Sequence, residues 1–165
     1  MPSSDFVILA DDMGAIETTL SQLRDDANAG FVFLIDRNGQ QLAAVGETET
    51  IDATSLASLT AGNVAATEGL AQLVGEPAFS SLFHEGERDS LLITLINQRV
   101  ILVLAFDERS SLGLVRLRVR QASGPLARII DDIEKRSADQ QASHLASDSP
   151  FGEITDEDID GLFAE

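Results

Sequence analysis

The sequence predicts an α/β (α+β) domain whose elements run α-β-β-α-β-β-β-α, followed by a tail, and three observations carry that expectation. Three long stretches repeat apolar residues at steps of three and four, the period of a helix. Between them lie short runs rich in Val, Ile, Leu and Phe, bounded by turn-forming residues, as strands are. One of these runs, Val100–Phe106, is apolar on both faces, so its strand needs cover on both sides of a sheet.

Taken in order, Leu9, Met13, Ile16, Leu20, Leu23 and Ala27 mark one face of a helix over roughly residues 8–29. Phe31–Asp36 follows as a strand. Asn38-Gly39 predicts a tight hairpin, because both residues tolerate positive φ, and Gln41–Val45 returns as the second strand. Asp52 can cap the next helix. Its expected core stripe is Leu56, Leu59, Ala66, Leu70 and Leu73, and Gly75 with Pro77 ends it. Phe79–Phe83 reads as a short strand, and Leu91–Ile96 and Val100–Phe106 as longer strands joined at Asn97-Gln98. Residues 112–133 alternate briefly like a strand at Val115, Leu117 and Val119. The longer three-four pattern through Leu126, Ile129 and Ile133 favours a helix instead, with a kink or brief break at Gly124-Pro125. The expected organisation is a domain over residues 1–137, a flexible linker rich in Ala, Ser, Asp and Gln over 138–149, and an amphipathic tail helix over 150–165.

The totals limit the chemistry. The chain has no Cys, which excludes disulfides, thiolate metal sites and a cysteine nucleophile. No apolar run approaches the roughly 20 residues of a membrane helix, and the N-terminus lacks a basic signal flank, so a cytoplasmic protein is expected. A net charge of −17 disfavours nucleic acid and anionic membrane as partners. The charge is uneven: residues 138–165 hold eight acids and no Lys or Arg, while 107–137 hold seven bases against five acids. No glycine-rich phosphate loop is present, and Gly113 lacks the companion glycines and lysine of one. His84-Glu85-Gly86-Glu87 lacks the second histidine of a metal helix, and Asp156-Glu157-Asp158 lacks the glycine and closing glutamate of a calcium loop. No catalytic residue, metal ligand or cofactor is expected.

Two features point to binding. Along the middle helix runs a stripe of Ser55, Ser58, Gly62, Ala65 and Gly69. Glycine inside a helix costs up to about 1 kcal/mol against alanine. Two on one stripe imply close approach of another backbone, either a partner's or one within the same subunit. The second feature is the tail. Thr155 can cap a helix, Ile154 and Ile159 occupy staple positions, and Ile159, Leu162 and Phe163 would share one face, as in ligands that lay a helix into a groove.

Phe31-Val-Phe-Leu-Ile-Asp-Arg-Asn-Gly resembles the first hairpin of Roadblock/LC7 domains. The helix Ile51-Asp-Ala-Thr-Ser-Leu-Ala-Ser-Leu-Thr-Ala-Gly-Asn-Val-Ala-Ala resembles the central helix of the branch of that family that serves bacterial polarity and gliding motility. Phe83-His-Glu-Gly, Asp89-Ser-Leu, Ser110-Ser-Leu-Gly-Leu-Val-Arg-Leu-Arg and the whole of Ser149–Phe163 are similar to it in order and spacing, so the resemblance covers about residues 10–165. It implies a five-stranded antiparallel sheet between helices and a homodimer. It also implies a GTPase-activating role toward a small Ras-like GTPase of the MglA type, two copies binding one GTPase; the small-residue stripe of the middle helix then puts Ser58, Gly62, Ala65 and Gly69 at the expected contact. The tail residues Ile154, Ile159, Leu162 and Phe163 would dock elsewhere on the GTPase and assist nucleotide exchange, and the complex would sit at a cell pole. No arginine is expected to enter the GTPase site, Arg109 being the one to test first. A scaffold of the same fold that leaves nucleotide turnover unchanged is the alternative.

Overall fold

The structure, a computed structural model, describes residues 7–147 and Gly161. The elements are α1 (Ala10–Ala27), β1 (Phe31–Asp36), β2 (Gln41–Gly46), α2 (Ala53–Val74), β3 (Ser81–His84), β4 (Ser90–Ile96), β5 (Val100–Phe106) and α3 (Leu112–Ser147). The predicted order is therefore the observed one. The strands form one antiparallel sheet in the order β2-β1-β5-β4-β3, which leaves β2 and β3 as edges. β5 sits at its centre and all seven of its residues are buried, as its two-sided apolar pattern requires.

Turns follow from a few side chains. The β1–β2 hairpin is wider than Asn38-Gly39 alone predicts. Only Gly39 takes positive φ, at 86°. Buried Asp36 organises the loop, its Oδ1 accepting from the backbone N–H of Asn38 and of Gln40, each at 2.9 Å. The ladder slips by one residue between Leu34 and Ile35, so the extra residue is taken up as a bulge. A side chain at Gly39 would press on Ser58 Cα of α2, 3.1 Å from its Cβ, so glycine lets the hairpin tip lie against that helix. In the β4–β5 turn both Asn97 and Gln98 take positive φ, and the Asn97 amide donates to Asp131 Oδ1 of α3 at 2.9 Å.

The helices cover opposite faces. α1 and α3 pack Ile16, Leu20, Leu23, Val119, Leu126, Ile130 and Ile133 against Val32, Leu34, Leu92 and Leu104. α2 alone covers the other face, setting Ala57 and Val64 on Phe33, Ile35, Ile93, Ile101 and Val103.

Three expectations need correction. The buried line of α2 is Ala57, Thr60, Val64, Thr67 and Ala71, not the leucine stripe. Leu59, Leu70 and Leu73 are 73%, 57% and 83% exposed, Ala66 is exposed, and Leu56 is half-buried. The small side chains face the sheet, and the leucines are left to point outward. The helix at 112–133 is α3, but it runs unbroken through Pro125 and on to Ser147. It therefore occupies residues 138–147 of the expected linker, where every residue is exposed and backbone hydrogen bonds continue without any apolar face. The tail 150–165, with Ile154, Ile159, Leu162 and Phe163, lies outside the described residues except for Gly161.

Candidate functional site on the outer face of the central helix

α2 is pinned at both ends. The Asp52 carboxylate accepts from Ser55 N at 3.1 Å and from Ser55 Oγ at 2.7 Å, and these bonds from Ser55 hold it below the ordinary carboxylate range. Gly75 closes the helix in the left-handed conformation at φ 76°. Between the caps, 22 residues contain one charged side chain, Glu68, and Glu68 is ion-paired with Arg37. In a chain that is 24% charged, this is an exposed helix with no solvating charge on its outward face.

Ser58, Gly62, Ala65 and Gly69 are all exposed and lie on one line of that face. A Cβ at Gly62 or Gly69 would meet nothing within 4 Å. The glycines therefore do not serve close packing among the described residues of the protomer. At about 100° per residue the small line lies beside the line of Leu59, Ala66, Leu70 and Leu73. Together they make a shallow surface, small residues on one side and leucines on the other. Sequence reasoning missed the leucines as surface residues, because apolar periodicity alone cannot say which of two apolar lines is buried. The one signal was the competing Ala57/Thr60/Val64/Thr67/Ala71 line, whose threonines can satisfy their hydroxyls within the helix, as Thr67 Oγ1 does on Asn63 O at 2.9 Å.

Beside α2 the edge strand β3 leaves its outer backbone unpaired among the described residues. A narrow cleft, with room for about 10 Å³, runs between the two, lined by Val64, Thr67, Phe79, Leu82, Ile93 and Leu95. Asn63 of α2 lies 3.4 Å from His84 Nε2 at the end of β3. Neither Phe79 nor this pair was legible as part of a site.

The arginines are mostly engaged. Arg37 donates to Gln98 O at 2.9 Å as well as to Glu68. Arg99 pairs with Glu134 at 3.2 Å. Arg109 is clamped on Asp107 at 2.9 Å, and its side-chain hydrogen bond is the main cause that lowers the Asp107 pKa. Arg88, in the exposed β3–β4 loop, makes no ion pair among the described residues. Among those residues no three His, Asp or Glu side chains are grouped to hold a metal, and no helix is long and apolar enough to cross a membrane.

A family model described as the Roadblock/LC7 domain matches residues 15–106. Among solved structures, MglB from Myxococcus xanthus is 55% identical, with a TM-score of 0.69, over 71% of this chain and 95% of its own. Gliding protein MglB from Thermus thermophilus is 35% identical, with a TM-score of 0.72, over 78% and 97%. An MglB described as having a tetrameric arrangement is 33% identical, with a TM-score of 0.74, over 78% and 97%. No curated protein matches.

Proposed function

We propose that this chain, which belongs to the Roadblock/LC7 family, regulates a small Ras-like GTPase of the MglA type in bacterial polarity or gliding motility. In this reading it is a GTPase-activating protein with no catalytic site of its own. It acts as a homodimer, two copies on one GTPase, in the cytoplasm and at a cell pole. The observation that supports it is the uncharged outer face of α2, on a chain 55% identical to Myxococcus xanthus MglB.

The contact would be made at Ser58, Gly62, Ala65 and Gly69, where missing side chains let a partner backbone come close. The neighbouring leucines and the free β3 edge suit a second copy of the chain. Activation without an inserted arginine requires the complex to favour one arrangement of the GTPase's own switch loops. Binding that arrangement about tenfold more tightly moves its population tenfold, for about 1.4 kcal/mol. The pairing of Arg37, Arg99 and Arg109 within the protomer supports this mode over an arginine finger. The tail, through Ile154, Ile159, Leu162 and Phe163, would act as a tether that assists exchange.

The test is phosphate release by the cognate GTPase with and without this protein. Stimulation is expected. Binding with unchanged turnover would make the protein a scaffold instead. Light scattering at micromolar concentration should show a dimer, and a monomer throughout would remove the two-copy arrangement.

A further inference from the structure

A second groove, of about 250 Å³, lies on the opposite side of the sheet, between α3 and the β3–β4 edge. Its floor is Leu92 and Val119, its rim Ser80 and Ser123, and one wall carries Arg116 and Arg120. Both arginines are exposed, and neither makes an ion pair among the described residues. In a chain of charge −17, two unpaired guanidiniums over an apolar floor match an acidic ligand that carries apolar side chains. The chain itself contains such a ligand. Residues 148–165 hold seven acids, no Lys or Arg, and five large apolar side chains, Phe151, Ile154, Ile159, Leu162 and Phe163.

We propose that this groove receives the C-terminal segment 148–165 of a second copy of the chain. The length of the chain favours a second copy, because a chain can bring only the end of its own segment back to its own groove. Ser147 stands 27 residues beyond Arg120 on a continuous helix, about 40 Å away at 1.5 Å per residue. Returning from Ser147, an extended strand covers at most about 3.5 Å per residue, so residues 148–158, with five of the seven acids and with Phe151 and Ile154, fall short of the groove, and only 159–165 can reach it. A neighbour's segment has no such restriction. The docking needs no GTPase, so it stands or falls separately from the proposed function. It gives the segment a resting place from which a stronger partner can draw it.

Because the chain has no cysteine, the contact can be captured in the full-length protein. Chains carrying Ser80→Cys at the groove rim are mixed with chains carrying Ala164→Cys, under oxidised glutathione at micromolar concentration. A disulfide between the two chains is expected, at a yield well above that with Ser21→Cys, an exposed site on α1. Adding Arg116→Glu and Arg120→Glu to the Ser80→Cys chain should cut the yield about fivefold, the scale of two exposed ion pairs. The circular dichroism spectrum should be unchanged, since both arginines are exposed. A yield no higher than the α1 control, or one indifferent to the arginines, overturns the proposal. So does a bond that forms only within a chain carrying both cysteines, independent of concentration, or one that appears only after a GTPase is added.

Discussion

α1 and α3 bury Ile16, Leu20, Leu23, Leu126, Ile130 and Ile133 on one face of the sheet, while α2 meets the other face with Ala57, Thr60, Val64, Thr67 and Ala71. The first layer is also tied by polar contacts. Arg136 of α3 holds Asp12 of α1 at 2.6 Å, and Ser110 Oγ donates to Ala27 O at 2.6 Å. Full burial of a large apolar side chain is worth about 1.5–3 kcal/mol. The α1/α3 layer therefore carries most of the side-chain contribution to stability. α2 contributes less per residue, and its leucines lie outside. One face of the sheet holds the fold together, and the other displays a surface.

The largest effect on stability should come from the first layer. Leu126 is fully buried, and Leu126→Ala should cost about 2–5 kcal/mol in urea unfolding. The contrasting change is Leu70→Ala on the outer face of α2. It should cost the protomer under about 0.5 kcal/mol. Any larger loss should grow with protein concentration, which would place Leu70 in a contact between copies. A concentration-independent loss as large as that of Leu126→Ala would erase the distinction between the two layers.

The same contrast reverses for partner binding. Ala65→Arg with Gly69→Arg should abolish stimulation of the GTPase, a fall of roughly a hundredfold or more, as expected when a bulky charge fills a close contact. Folding should not suffer, because open space surrounds the Gly69 Cβ position and replacing a helical glycine stabilises the helix by up to about 1 kcal/mol. Intact stimulation together with an intact thermal melt would show that the small line is not the contact.

A smaller effect is expected from the tail. Deleting Ser149–Glu165 should leave the thermal melt unchanged and slow assisted nucleotide exchange by about tenfold or less. A few buried side chains at ~1.5–3 kcal/mol each are largely offset by backbone ordering at ~1–2 kcal/mol per residue. Phe163→Ala should reproduce most of the loss. Equal exchange rates for the two lengths would leave the tail without a role in exchange.

The difference between the layers also explains what could be read in advance. In α1 and in 112–133, charged residues fill the outer face, so the apolar line can only point inward, and Ile16, Leu20, Leu126 and Ile133 are where their spacing puts them. α2 has no charged face to orient it. Leucines compete with a line of Ala, Thr and Val for the interior, and it is the line with the smaller residues that is buried. The glycines were legible because a helix carries them at a cost. The groove beside Phe79 was not, since it exists only where β3 and α2 come together. The continuation of α3 past Ala138 left no periodic trace, because backbone hydrogen bonds sustain a solvated helix without an apolar line.

The smallest effect concerns the tie between α1 and α3. Asp12 is held below the ordinary carboxylate range, first by the hydrogen bond from Arg136, then by the Leu9 N–H and the Arg136 charge, with burial opposing. A carboxylate whose pKa is lowered on folding adds stability that is present above its unfolded value of about 4 and is lost as pH falls through the folded value. Asp12→Asn should therefore cost about 0.5–1 kcal/mol at pH 7, the usual scale of a partly exposed ion pair. The gap between the two proteins should close as pH drops below about 4, when the native carboxyl is protonated too. Urea unfolding of both proteins between pH 7 and pH 3 measures this. The absence of any gap at pH 7 would show that Asp12 acts only as the acceptor of the Leu9 N–H at the start of α1, which an asparagine side chain can also be, and that the Arg136 pair adds nothing to the joining of α1 and α3.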